Sequence, residues 1–102
     1  MTTKTMKLLN DLNDGPLTLG QAIVSIRKCE ELSQTEFAGK LGVSKQYLSA
    51  LENNRKEVSV KQAKKFAERL GQSEKVFIEL ALQDLLDRNN IHYSVDLHES
   101  AA

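Results

Sequence analysis

Residues 33–56 read SQTEFAGKLGVSKQYLSALENNRK, and this stretch decides how the chain folds. Ser33 with Glu36 three residues on makes a capping box: the hydroxyl accepts from one backbone N–H while the carboxylate reaches back to another. Phe37, Ala38 and Leu41 follow at helical spacing. Gly42 ends that helix, because glycine enters the left-handed region without steric cost. Val43 anchors the turn, and Ser44 caps a second helix whose buried side is Leu48 and Leu51. Ala38, five residues before Val43, is small where the two helices must approach closely.

Two helices about a turn of roughly three to four residues, the turn containing glycine, form a helix-turn-helix unit. The spacing alone also fits an ordinary antiparallel helix pair. The run Ser33-Gln34, Phe37-Ala38, Leu41-Gly42-Val43-Ser44, Leu48-Ser49 and Leu51-Glu52-Asn53 resembles the phage-repressor (Cro-type, XRE) helix-turn-helix family, without a gap across both helices. The resemblance implies an all-α, five-helix domain over about 17–90 that binds double-stranded DNA. It implies that Gln34 holds a phosphate at a helix N-terminus, and that Asn53, Arg55 and Lys56 grip the DNA backbone beyond the second helix. It also implies that Arg27 and Glu52 form a structural pair.

Working outward, Thr18 with Gln21 caps a first helix of about Leu19 to Leu32, with Leu19, Ala22, Ile23 and Ile26 inward. Asn54, where relatives commonly carry glycine, ends the second motif helix, since asparagine tolerates the left-handed conformation. Ser59 with Gln62 opens a helix to Leu70 with Val60, Ala63, Phe66, Ala67 and Leu70 inward, and Gly71 stops it. Ser73 caps a last helix of about Glu74 to Asn89. Its apolar residues fall nearly all round, which predicts burial on more than one side. From Ile91 to Leu97, apolar Ile91, Tyr93, Val95 and Leu97 alternate with polar residues, the period of a short C-terminal β-strand. Such a strand needs a partner: its twin in a second subunit, the N-terminal patch, or a foreign protein. Residues 1–16 carry that patch (Met6, Leu8, Leu9, Leu12) and end in Asn13-Asp14-Gly15-Pro16. They read as an arm in the form of a short helix, a strand or a frayed tail, with Lys4 and Lys7 in reach of DNA.

With 102 residues the chain is sized for one core. Net charge is zero, but its distribution is polar: 38–69 holds eight Lys/Arg against three Glu, whereas 70–102 holds two bases against six acids. A basic middle beside an acidic tail leaves one end of the molecule suited to phosphate. One cysteine, Cys29, excludes an internal disulfide and reads as a buried structural thiol, in keeping with a cytoplasmic location. No apolar run approaches the roughly 18 residues of a membrane span, and no secretory leader pattern stands at the start. No glycine-rich phosphate loop, Cys/His metal cluster or catalytic constellation competes, so neither an enzyme nor a cofactor is expected, and the two histidines are expected in solvent.

The second motif helix is the expected DNA reader. Lys45 can donate to guanine O6 and N7, Gln46 can pair with adenine N6 and N7, and Ser49 and Ala50 lie one turn on, the latter against a thymine methyl. Tyr47 either contacts a phosphate or packs at the rim, and Ser44 either caps its helix or touches a phosphate, capping being the favoured role. The whole reads as a repressor-like transcriptional regulator acting as a homodimer on a palindromic operator. Ile78, Leu82 and Leu86 of the last helix, with Ile91, Tyr93 and Val95 of the tail (91–102), are the expected dimer contacts. The alternative is the antitoxin of a toxin–antitoxin pair, whose terminal extension adds to a toxin's sheet edge.

Overall fold

The computed structural model of the chain describes residues 17–100. Among these are five helices, α1 (Leu19–Cys29), α2 (Gln34–Leu41), α3 (Lys45–Glu52), α4 (Val60–Leu70) and α5 (Glu74–Arg88), and no strand. The readings made for Met6 to Leu12, Lys4 and Lys7 lie outside the described residues.

Each helix starts on the same chemistry. Thr18, Ser33, Ser44, Ser59 and Ser73 sit in extended backbone, and each hydroxyl accepts from the N–H three residues on. Gln21, Glu36 and Gln62 complete capping boxes by accepting from the cap's own N–H. The Ser33 backbone N–H, helped by its hydroxyl, holds the Glu36 carboxyl below its ordinary pKa. That half of the box is therefore present above the usual carboxylate range and is lost on acidification through the lowered value.

Each helix also ends alike, on a left-handed residue flanked by two crossed backbone bonds, the Schellman pattern. Gly42 and Gly71 supply that conformation without strain, and Asn54 does so with φ +59°. Asn90 (φ +56°) ends α5, and Glu31 (φ +57°) ends α1 earlier than expected, because the Leu32 N–H turns back to the Arg27 carbonyl at 3.2 Å. The Leu32 side chain thereby reaches the edge of the core.

The core joins Leu19, Ile23 and Ile26 of α1, Phe37 and Leu41 of α2, Leu48 and Leu51 of α3, Phe66 and Leu70 of α4, and Phe77 of α5. α3 packs on α1 and α2, α4 packs on α2, and α5 packs on α1 and, most extensively, on α4. Val60, expected inside, is 43% exposed, whereas Val58 in the preceding loop is buried in the core. Cys29, expected buried, is half-buried at the end of α1.

Beyond α5 the expected strand does not form. Residues 91–100 have no strand pairing; the chain runs back along α5, and helix side chains take the bonds a second strand would have taken. The Gln83 amide clamps the backbone on both sides of Ser94, donating to the Tyr93 carbonyl (2.8 Å) and accepting from the Val95 N–H (2.9 Å). Glu79 accepts from the Leu97 N–H at 3.0 Å. The registers match: four helical residues advance about 6 Å and two extended ones about 6.6 Å. Val95 and Leu97 become half-buried, so the alternation read from sequence is real, but it faces a helix. Among the expected dimer contacts, Ile78, Leu82, Leu86 and Val95 are half-buried, while Ile91 (42%) and Tyr93 (75%) stand exposed.

One glycine fixes how close α1 lies to the end of α3. A Cβ on Gly20 would stand 2.3 Å from the Leu51 carbonyl oxygen and 2.6 Å from Asn54 Oδ1, whereas one on Gly39 would meet nothing within 4 Å. Gly20→Ala should therefore destabilise the fold by about 1–3 kcal/mol through overpacking. Gly39→Ala, in an exposed helix interior, should stabilise it by up to about 1 kcal/mol. Paired urea titrations measure both, and equal effects of one sign would refute the close approach.

Candidate nucleic-acid interface

The turn between α2 and α3 is set by Gly42 (φ +76°) and by the Ser44 hydroxyl, which accepts from the Tyr47 N–H at 3.0 Å. Ser44 is thus the cap of α3, the role favoured for it. Behind the turn Leu41 and Leu48 are buried, with Val43 packed at their edge, so the outer side of α3 is presented on a rigid base.

That base is locked by Glu52. Its carboxylate, with 5% side-chain exposure, receives Arg27 Nε at 2.7 Å and Arg27 Nη2 at 3.1 Å in a two-pronged pair. Arg27 Nη1 also donates to the Leu32 carbonyl at 3.2 Å, and Gln34 Nε2 donates to Glu52 Oε1 at 2.9 Å. One carboxylate therefore ties α1, the α1–α2 loop, the start of α2 and the end of α3. Gln34, read from sequence as a phosphate ligand, has its amide nitrogen engaged internally while its side chain remains at the surface boundary.

In front of this lock lies an open concavity of about 400 Å³ lined by Gln34, Lys45, Gln46, Ser49 and Arg55. Five of the residues singled out from sequence thus converge on one hollow, drawn from α2, α3 and the loop after α3. Lys45 and Arg55 form no ion pair among the described residues. The nearby Glu52 is already neutralised by Arg27, so the hollow is open, positively charged and flanked by amide and hydroxyl groups.

The remaining singled-out residues surround it differently. Tyr47 is half-buried against the core, and Lys56 Nζ sits 5.7 Å from its ring centroid, within cation–π range. Asn53 Nδ2 donates to the Ser49 carbonyl at 2.7 Å, and Ala50 is half-buried on the flank of α3.

The loop after α3 is held from both sides by residues that sequence reasoning did not single out for it. Thr18 Oγ1 donates to Asn54 Oδ1 at 2.8 Å, with Gly20 making room beneath. From the other side, Arg88 Nη2 donates to the Asn54 carbonyl at 2.8 Å and the Lys56 carbonyl at 3.3 Å. The i,i+4 spacing of Asp84 and Arg88 was a legible sign of an ion pair, but nothing in sequence pointed Arg88 at a loop more than thirty residues away.

Comparison with protein families matches residues 23–77, more than half of the chain, to a family described as helix-turn-helix. The match runs from within α1 into the start of α5 and contains the whole hollow. No curated protein and no solved structure matches the chain. No helix among the described residues is long and apolar enough to cross a membrane.

The Glu52 lock makes a direct stability forecast. Arg27→Met leaves a nearly buried carboxylate with only an amide partner and should cost about 3–5 kcal/mol. Adding Glu52→Met should restore part of that loss, since removing both charges also removes the desolvation cost. A double-mutant cycle by chemical denaturation measures this, and additive losses would show that the pair does not act as a unit.

Proposed function

Because the chain belongs to the helix-turn-helix family of phage-repressor (Cro, XRE) type, a DNA-binding regulatory family, we propose that it is a repressor-like transcriptional regulator binding a short palindromic operator as a homodimer. The observation that carries this reading is the hollow before α3, where Lys45, Gln46 and Ser49 meet Arg55 and Gln34. A helix of this size fits the major groove of B-DNA, and its first residues meet base edges while the flanks hold phosphates. In this assignment Lys45 and Gln46 read bases, with Ser49 and Ala50 beside them. Gln34, Asn53, Arg55 and Lys56 hold the backbone, Ser44 caps, Tyr47 packs at the rim, and Arg27 with Glu52 sets the angle of α3.

Selection of bound duplexes from a random pool tests the reading directly. Lys45→Ala and Gln46→Ala should relax the selected sequence while leaving the fold intact, each bidentate contact being worth about 1–3 kcal/mol of discrimination. Lys56→Ala should weaken binding to all sequences alike and flatten the dependence of log K on log salt by about 1. Selection of the same DNA at equal affinity by the Lys45 and Gln46 variants would remove them from the base-reading set.

The homodimer reading draws support from α5 and the tail. Val76, Leu85 and Ile91 are each about two-fifths exposed, and Ile78, Leu82 and Leu86 are only half-covered. A two-fold contact there would hide this surface and set two recognition helices about 34 Å apart, one turn of DNA. Sedimentation at micromolar concentration should show a dimer without DNA, weakened by Leu82→Asp or Leu86→Asp. The antitoxin reading draws on the outward side of the same tail, where Tyr93 is 75% exposed on extended backbone suited to adding to a sheet edge. A clean monomer in sedimentation would move that reading ahead.

A further inference from the structure

The last turn of α5 lies far along the chain from the recognition helix, yet it holds the loop on which the backbone-gripping residues stand. Arg88 Nε is fixed by Asp84 Oδ2 at 2.6 Å, which leaves Nη2 aimed at the carbonyls of Asn54 (2.8 Å) and Lys56 (3.3 Å). The pair stands at the surface, with side-chain exposures of 33% for Arg88 and 19% for Asp84. Both accepting carbonyls flank Arg55, whose own N–H closes the end of α3 on the Ala50 carbonyl at 2.8 Å. Asn54 is left-handed at this point, and its side chain is tied to Thr18. The backbone on both sides of Arg55 is thus tied by hydrogen bonds, two of which come from one guanidinium.

We propose that Arg88 is a positioning residue for DNA binding: it sets the backbone of residues 54–56 so that the Arg55 and Lys56 side chains are aimed at phosphates. The proposal rests on the DNA reading and adds to it a residue outside the helix-turn-helix. A planar guanidinium can hold the Asp84 carboxylate and two carbonyls at once, because its donors point in fixed directions. An ammonium has the charge but not that geometry, and this difference separates positioning from simple attraction.

The experiment measures binding of a short mixed-sequence DNA duplex by the full chain, its Arg88→Lys and Asp84→Asn variants, and Arg55→Ala in wild-type and Arg88→Lys backgrounds. Arg88→Lys should lower affinity roughly tenfold and flatten the salt slope by about 1, as for a lost phosphate contact, although net charge is unchanged. Asp84→Asn should also weaken binding, whereas if Arg88 itself touched phosphate, removing the neighbouring acid would strengthen it. Arg55→Ala should cost about tenfold in the wild type and less than about twofold beside Arg88→Lys, the non-additivity expected of coupled groups. Amide exchange at Arg55 should accelerate in Arg88→Lys without DNA present. Wild-type affinity in Arg88→Lys, additive losses with Arg55→Ala, or unchanged Arg55 exchange would each overturn the positioning role. No binding of any duplex by the wild type would instead overturn the DNA reading, and the proposal with it.

Discussion

Glu52 is the acceptor on which three helices agree. Its carboxylate, almost withdrawn from water, takes Arg27 from α1 in a two-pronged bond and Gln34 from α2 while standing in the last turn of α3. A buried charge of this kind is tolerated only when its partners are in place, so the pair acts as a constraint on geometry more than as a source of net stability. Here the constraint is the angle between α2 and α3, and hence how the outer side of α3 is presented. The same neutralisation keeps an acid from cancelling the charge of Lys45 and Arg55 in the hollow beside it.

The rest of the fold supports that angle with short, local devices. Serine or threonine begins every described helix, and a left-handed residue ends every one. Helices of 8 residues, such as α2 and α3, are too short to persist alone, so caps and the shared core together hold them. The loop that leaves α3 is secured in turn by Thr18 beneath and Arg88 above. Residues near the two ends of the described domain therefore meet at the loop after α3.

The C-terminal tail illustrates how far a hydrophobic period reaches. Alternation of Ile91, Tyr93, Val95 and Leu97 marks extended backbone with one apolar side, and Val95 and Leu97 do turn inward. Period says nothing about what accepts the hydrogen bonds. In place of a second strand, Gln83 and Glu79 meet the tail at a spacing where a helical step of four and an extended step of two nearly coincide.

Sequence alone determined the elements that rest on neighbours a few residues apart. The caps at Thr18, Ser33, Ser44, Ser59 and Ser73, the stops at Gly42, Asn54 and Gly71, and the inward faces of α1 and α3 are local, because one helical turn brings their groups together. The convergence of Gln34, Lys45, Gln46, Ser49 and Arg55 was legible only through the resemblance of the motif as a whole. Tertiary structure alone decided the contacts made across long loops. These are the capture of Gln34 by Glu52, the clearance that Gly20 gives Leu51 and Asn54, the reach of Arg88 to the loop after α3, and the docking of the tail on Gln83 and Glu79. Each depends on where helix axes come to lie, and axes are set by how the whole core packs, which no window of sequence contains.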